Sequence, residues 1–552
     1  MVSLDQSVQE EGGVVSIGRP PTEGGETSGA TRAPEPVATA HGASARLGRE
    51  ARQVPARRAT SARHTERRAI VHLTAEYHGY ARTGGLAEAV AGLASSQARS
   101  GERVYAFIPL YASVRDAVKE LHLLAPSHRL TVGPLSEDVR YYRDAAGTLA
   151  PHVIFVDAPE CFDRPGLYGD ARGDYPDNHL RFAFFVQAAL QGIRQFVPGP
   201  LLLHAHDWHA ALAPVYMRTH PDHAPHFAET PTVISVHNAG YQGHFGADVM
   251  PELSLPADLW HMERLEWYGR LNLLKGGLVF SNAVVTVSPA HATELRTAEG
   301  GFGLQETFRQ LGDRLVGICN GIDLQHWDPS RDDQIAANYS AESLAGKATC
   351  KDALQRAFAL PRRATVPVIG MSSRLAAQKG FDIVLRSRQL AETDVQVVII
   401  GEGDARIRDA VAAFVAAHPR RMACSFTFTD RLEHQLMAGA DMVLMPSLYE
   451  PCGLTQMHAS RYGTPVIGRQ VGGISDTVID EETGFLFGAF EVTAMDAAIA
   501  RALARFGERS AWETMMRRAM ACDFGWDHSM ARYATVYEDA ARHAARHAAA
   551  RV

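Results

Sequence analysis

Five short runs in this 552-residue sequence have the residue types and spacing to grip phosphate and hydroxyl groups. Ser373-Arg374-Leu-Ala-Ala-Gln378-Lys379-Gly380 sets two cations five residues apart, beside a glycine and a helix start. That suits a diphosphate, because arginine grips it through a planar fork and lysine acts as a point charge. Ser447-Leu-Tyr-Glu450-Pro-Cys452-Gly453-Leu454-Thr455-Gln places one carboxylate and several backbone N–H groups at another helix start, and Gly472-Gly473 opens one more turn. Arg82-Thr-Gly84-Gly85-Leu-Ala-Glu88 opens a helix whose N-terminus suits phosphate, although a plain tight turn fits those glycines equally well. His204-Ala-His206-Asp207-Trp-His209 invites a metal reading. The run straddles a strand end, where its side chains should diverge, so a polar cluster shaping a sugar site fits better than a metal centre. In His237-Asn238-Ala-Gly-Tyr241-Gln-Gly, imidazole and amide groups offer directed partners for hydroxyls; a satisfied structural histidine fits the same run.

These motifs need a scaffold that brings them together. The β-rich run beginning at Ala69, a helical pattern over 86–98 and Val104-Tyr-Ala-Phe-Ile-Pro make a βαβ unit. Further buried strands are expected at 153–156, 201–204, 233–236 and 284–287, giving a doubly wound domain over 69–320. A second series starts at Val366. It continues through a helix after Lys379, strands at 395–400 and 424–428, a helix at 434–440 and a strand at 442–445, and closes near Phe485. This is a second doubly wound domain, over 365–520. Turn signals in Asn320-Gly-Ile-Asp and Asp328-Pro mark the connection, 321–364. A helical stretch, 521–541, and an Ala/Arg/His-rich tail, 542–552, follow. Open α/β sheets bind ligands beyond the C-terminal ends of their strands. The expected fold class is therefore α/β, with two Rossmann-like domains facing an interdomain cleft.

Composition removes several function classes. A hydrophobic fraction of 46% with 21% charged residues is that of a globular chain, and a formal charge of −7 argues against a nucleic-acid partner. The six cysteines show no C-x-x-C spacing, so no zinc or dithiol motif is expected and they read as free thiols. No apolar run reaches the roughly 18 residues of a membrane span. Asp5, Glu10 and Glu11 are foreign to a secretory signal, so a cytoplasmic location is expected, with no membrane partner. Residues 1–68 have few apolar anchors and are expected to be disordered, the basic run 46–68 reading as a solvated tail. Gly401-Glu-Gly403 lacks the third glycine of a dinucleotide fingerprint. No motif speaks to oligomeric state.

Taken together and in order, Thr83-Gly-Gly-Leu-Ala, His204-Ala-His-Asp-Trp-His, His237-Asn with Tyr241-Gln-Gly, Leu274-Lys-Gly-Gly, Val287-Ser-Pro, Cys319-Asn-Gly-Ile-Asp, Ser373-Arg-Leu with Gln378-Lys-Gly, and Glu450-Pro-Cys-Gly-Leu-Thr-Gln resemble the bacterial glycogen synthase and plant starch synthase family. The resemblance covers about 70–537. It implies a GT-B fold, a retaining glucosyltransferase, an ADP-glucose donor (UDP-glucose in some relatives), an α-1,4-glucan acceptor, no required cofactor or metal, and a last helix that crosses back onto the first domain. By position it implies Arg374 and Lys379 on the donor diphosphate, with Arg82, Gly84 and Gly85 nearby. Glu450 and the backbone of Cys452, Gly453, Leu454 and Thr455 would meet the glucosyl group. His237 would contact that glucose from the other domain, and Phe428 would stand where the family stacks an aromatic on the base. Glu76, Tyr168, Asp207 and Asn238 fall on the acceptor side.

Two departures share one motif: Arg82 replaces the family's usual lysine and Glu88 its usual aspartate, which bears on donor identity. A related GT-B enzyme with another nucleotide-sugar, or a non-catalytic glucan-binding relative, are the alternatives. His458, where sucrose- and trehalose-phosphate-type enzymes carry a second glutamate, disfavours the first. The presence of Glu450, Lys379 and His237 disfavours the second. No hydrolase-like carboxylate pair is evident, so front-face attack, with the leaving phosphate accepting the acceptor's proton, is the favoured route to retention.

Overall fold

Strands form where the sequence runs mostly apolar and β-branched. Ala69–Leu73 (β1) is buried at every position, as is Thr232–Val236, the pattern of parallel strands covered on both faces. The computed structural model describes residues 67–147, 150–170 and 172–549. The expectation of disorder over 1–68 therefore lies, through residue 66, outside the described residues, as does the end of the 542–552 tail.

The first sheet comprises β1, β2 (Val104–Pro109), β3 (Leu121–Val132), β4 (Leu135–Asp144), β5 (His152–Asp157), β6 (Leu201–His206), β7 (Thr232–Val236), β8 (Ala283–Thr286) and β9 (Leu315–Gly317). Their order is β9-β8-β7-β6-β1-β2-β5-β4-β3. The strands from β9 to β5 run parallel, and β4 and β3 add an antiparallel edge. That hairpin was not evident from sequence. β4 alternates between buried and more exposed positions and β3 is exposed or half-buried before Leu130, so the hairpin lacks the continuous apolar signature of the inner strands. Helices α1 (Gly85–Arg99) and α2 (Asn178–Phe196) follow β1 and precede β6.

The second sheet holds β10 (Val368–Ser372), β11 (Gln396–Ile400), β12 (Met422–Ser425), β13 (Met442–Met445), β14 (Val466–Arg469) and β15 (Gly484–Phe487). They pair in the order β12-β11-β10-β13-β14-β15, all parallel. The strand expected at 424–428 ends early, at Ser425, because its ladder with β11 stops at Ile400. Phe428 therefore sits in a loop, where its N–H donates to the Glu402 carboxylate at 2.7 Å. Helices α3 (Asp430–Gly439) and α4 (Thr455–Arg461) follow β12 and β13.

Each sheet changes winding direction at its first strand: β1 lies between β6 and β2, and β10 between β11 and β13. The crevices beyond these strands are where doubly wound sheets take ligands. The chain passes between the two sheets twice, and the passages touch where Ile322 N–H donates to Phe524 C=O at 2.9 Å. The last helix, α5 (Asp527–Ala549), returns to the first sheet. Trp526, Tyr533, Val536 and Ala540 pack there with Leu93, Leu202, Val233 and Val285. Gly92 makes room: a Cβ on it would stand 2.4 Å from the Trp526 indole nitrogen.

Candidate active site

The loop after β1 is organised by one buried carboxylate. Glu76 accepts from Thr83 N–H (2.7 Å), the Thr83 hydroxyl (2.6 Å), Gly84 N–H (3.3 Å) and the Tyr168 hydroxyl (2.7 Å). Tyr168 also stacks on His209, centroids 4.6 Å apart, and burial with the nearby Glu76 charge pushes its phenol well above the ordinary range. Glu76 and Tyr168 thus spend their polar atoms on holding the Thr83-Gly84-Gly85 turn. A Cβ on Gly84 would meet nothing within 4 Å, and one on Gly85 would lie 3.8 Å from Leu454, in the loop after β13.

The two departures in this motif touch each other. The Arg82 guanidinium lies 3.5 Å from the Glu88 carboxylate, 3.1 Å from that of Asp430, and 5.5 Å from the centre of the Phe428 ring. Arg82 therefore reaches across from the first sheet to the loop leading into α3. Exposed pairs of this kind contribute about 0–1 kcal/mol.

After β10, Gly380 takes a left-handed conformation (φ +73°), and a Cβ there would stand 2.1 Å from Pro446 C=O. This close approach brings Lys379 under the β13 loop. Lys379 Nζ contacts Glu450 Oε2 at 2.5 Å, and the Ser447 hydroxyl donates to the same oxygen at 2.8 Å. Gly472 (φ +42°) presses equally close, a Cβ on it lying 2.0 Å from Glu450 C=O. Burial opposes the charge on Arg374, but the hydrogen-bonded Tyr241 hydroxyl and the nearby Glu450 and Tyr449 raise its pKa overall. Tyr241 belongs to the loop after β7, so this is a second link across the cleft. Tyr449 makes a third: its hydroxyl is bonded by Asn238 and pushed up to about 12, chiefly by burial.

The histidine run corrects one expectation. His204 and His206 do not diverge, because residues i and i+2 of a strand share a face; their rings stack 4.3 Å apart. His72 on β1 joins them, and the three rings are close enough to share an ion. Their nitrogens are otherwise engaged, however. His72 bonds His206 and Gln97, His204 bonds Tyr537 and Ser235, and His206 bonds His237 in addition to His72. Beyond the strand end, Asp207 adopts φ +55°, and its carboxylate accepts His237 N–H at 2.7 Å. Burial raises the Asp207 pKa to about 7, against the hydrogen bonds from the His237 and Asn238 backbone. Burial depresses His237 to about 3.

The structure thus gathers Arg82, Gly85, Arg374, Lys379, Phe428, Asn238, Leu454 and Glu450 around one cleft, with His237 on the same β7 loop. Glu76, Tyr168 and Asp207 stand behind it as supports. Sequence reasoning passed over Tyr241, Ser447, Tyr449 and Asp430. Tyr241, Ser447 and Tyr449 lie inside quoted motifs, but only Tyr449, next to Glu450, has a charged neighbour in the chain that could have signalled it.

Sequence and structure comparisons identify the family and the fold. Residues 69–310 match the family model described as starch synthase catalytic domain, and 366–505 that described as glycosyl transferases group 1. Glycogen synthase 2 of Geobacter sulfurreducens is 41% identical over 86% of this chain and 99% of its own. Glycogen synthase of Koribacter versatilis is 39% identical over 85% and 98%. The catalytic domain of starch synthase IV from Arabidopsis thaliana, solved bound to ADP and acarbose, superposes with a TM-score of 0.80 at 29% identity, over 86% of this chain and 100% of that one.

Proposed function

The chain belongs to the bacterial glycogen synthase and plant starch synthase family, and from that premise we propose that it transfers glucose from ADP-glucose to the non-reducing end of an α-1,4-glucan with retention of configuration. The observation that carries this reading is the meeting of the two sheets' switch points in one cleft, with the Gly84-Gly85 turn facing the loop that holds the Lys379–Glu450 pair.

As the glycosidic bond breaks, negative charge grows on the diphosphate and the sugar becomes oxocarbenium-like. Preorganised cations aimed at that charge supply the largest part of catalysis in such a site. Arg374, fixed by Tyr241, and Lys379 take this role and do the work a metal ion does elsewhere. Before donor arrives, Lys379 neutralises Glu450. The diphosphate then shares the lysine, and the Glu450 carboxylate turns to the glucosyl hydroxyls. His237 meets the sugar from the opposite domain, and Phe428 lies on the base side, next to Arg82. Glu76, Tyr168 and Asp207 act by holding the first domain's loops rather than by touching the acceptor. The acceptor hydroxyl attacks on the face the diphosphate leaves, and its proton passes to the departing phosphate oxygen. Closing the cleft excludes water, which suppresses hydrolysis.

The test is direct. Purified protein is incubated with glycogen and, separately, ADP-glucose and UDP-glucose, and nucleotide release and chain growth are followed. Chain growth with ADP-glucose is expected. Absence of growth with either donor would refute the reading.

A further inference from the structure

A line of hydrogen bonds runs from the cleft to the far side of the first sheet. His237 Nε2 meets His206 Nδ1 at 3.0 Å, and His206 Nε2 meets His72 Nδ1 at 2.9 Å. His72 Nε2 meets Gln97 Oε1 at 2.7 Å. Gln97 Nε2 donates to the Tyr537 hydroxyl at 2.8 Å, and that hydroxyl meets His204 Nδ1 at 2.9 Å. The members come from the loop after β7 and from β6, β1, α1 and α5, so only the folded chain assembles the line. His72, His204 and His206 are fully buried and Gln97 nearly so. Burial lowers the His72 pKa to about 4 and those of His204 and His206 well below the ordinary value. The rings are therefore neutral near pH 7, and each neutral imidazole has one donor and one acceptor nitrogen.

Neutral rings in series leave no freedom once one end is set. With its amide nitrogen committed to Tyr537, Gln97 turns its oxygen toward His72, and an amide oxygen only accepts. His72 must then carry its proton on Nε2, which leaves Nδ1 to accept from His206 Nε2–H. His206 Nδ1 must in turn accept from His237 Nε2–H.

We propose that this relay, anchored by Tyr537 on the helix that crosses back from the second domain, holds His237 in its Nε2–H tautomer, so that Nδ1 is the lone-pair nitrogen it offers to a donor-sugar hydroxyl. Gln97, His72, His206 and Tyr537 are positioning residues that act through His237. The tautomer is a property of the folded chain. Its use on a sugar hydroxyl rests on the function proposed above. Turning the Gln97 amide over would reverse every bond in the line and put the proton on His237 Nδ1, which would convert an acceptor into a donor.

The experiment is nitrogen NMR on full-length protein labelled with ring-¹⁵N histidine, with His237 assigned by its loss in His237→Gln. The expected wild-type spectrum near neutral pH shows His237 protonated at Nε2 and unprotonated at Nδ1. In Tyr537→Phe the amide loses its anchor. A second tautomer should appear at His237, and kcat should fall up to about tenfold, the worth of one neutral hydrogen bond, while the unfolding midpoint drops with the loss of the two buried bonds that the hydroxyl makes. A wild-type His237 protonated at Nδ1, or a Tyr537→Phe spectrum identical to wild type, overturns the proposal. The wild-type spectrum decides even if the variant fails to fold. Protein with the expected tautomer that transfers no glucose would support this inference and sink the functional one.

Discussion

Lys379→Met, which keeps the length of the side chain and removes its charge, tests the centre of the site. Lys379 Nζ stands 2.5 Å from Glu450 Oε2, with the side chains 17% and 7% exposed. At an effective dielectric constant near 20 the gross attraction at that distance is roughly 7 kcal/mol, but desolvation of two nearly buried ions offsets most of it. Removing one partner is costlier than the net worth of the pair, because it strands the other charge; losses of about 3–5 kcal/mol are typical. Lys379 keeps some contact with water and the Ser447 hydroxyl still serves Glu450, so a loss of about 3 kcal/mol is expected, at the low end of that range.

The assay is a double-mutant cycle read by urea unfolding and by turnover. Glu450→Gln should also destabilise. The double variant should lose less than the sum of the singles, with a coupling of about 2 kcal/mol, as contacting charged residues show. Turnover should behave differently. Each single variant should lose about 10²-fold or more, the scale for one charge-stabilising donor, and the double variant should recover none of it, since stability is restored without restoring the cation. Stability losses that add to within about 0.5 kcal/mol would show that the two ions are not paired in solution. Turnover by Lys379→Met within tenfold of wild type would remove the lysine from the diphosphate.

Arg82→Lys should change stability by under about 1 kcal/mol, since its ion pairs are exposed, yet shift the ratio of kcat/KM for ADP-glucose over UDP-glucose, because the guanidinium lies against Phe428; an unchanged ratio would rule out a part for Arg82 in choosing the base. Asp207 titrates near 7 when folded and near 3.8 when not, so the folded state holds its proton more tightly and this residue's contribution to stability falls as pH rises from about 4 to about 7. Relative to Asp207→Asn, wild type should lose up to about 4 kcal/mol over that window and nothing further above it. Urea unfolding of both proteins at pH 5 and pH 8 measures this, and a pH-independent difference would contradict the assignment.

Features with strong local signals were legible. Lys379 precedes Gly380, and Glu450 lies in a motif with Gly453; both glycines have positive φ. Inner strands such as β1 and β7 announce themselves as short, mostly apolar and β-branched runs. What stayed hidden depends on partners far away in the chain. Gln97 and Tyr537 are 440 positions apart, and nothing in either neighbourhood predicts their contact. His72 offered a faint clue, a titratable residue inside an otherwise apolar strand. The resemblance puts Glu76 on the acceptor side, and nothing in the sequence shows that four internal hydrogen bonds occupy its carboxylate. A sequence shows which polar groups exist; whether they are already satisfied is decided by tertiary packing.

The cross-cleft contacts divide into two kinds, and the division bears on how the site works. Near the chain crossings side chains of the first domain grip the backbone of the second: the buried Ser288 hydroxyl donates to Pro451 C=O at 2.7 Å, and Gly472 N–H donates to the Glu294 carboxylate at 2.7 Å. Where ligand groups would enter, the contacts are between side chains: Arg82 with Asp430, Tyr241 with Arg374, Asn238 with Tyr449. A neutral hydrogen bond or an exposed ion pair is worth about 1 kcal/mol net and a bond from a charged donor about 1.5–3 kcal/mol, so each front contact can yield to a better partner. A diphosphate is a better partner for Arg374 than a tyrosine hydroxyl, since it brings opposite charge to the guanidinium and can be gripped through two parallel bonds. The side chains that close the cleft are then the ones that give way to the donor, and the fastening behind them keeps the two switch points in register while they do.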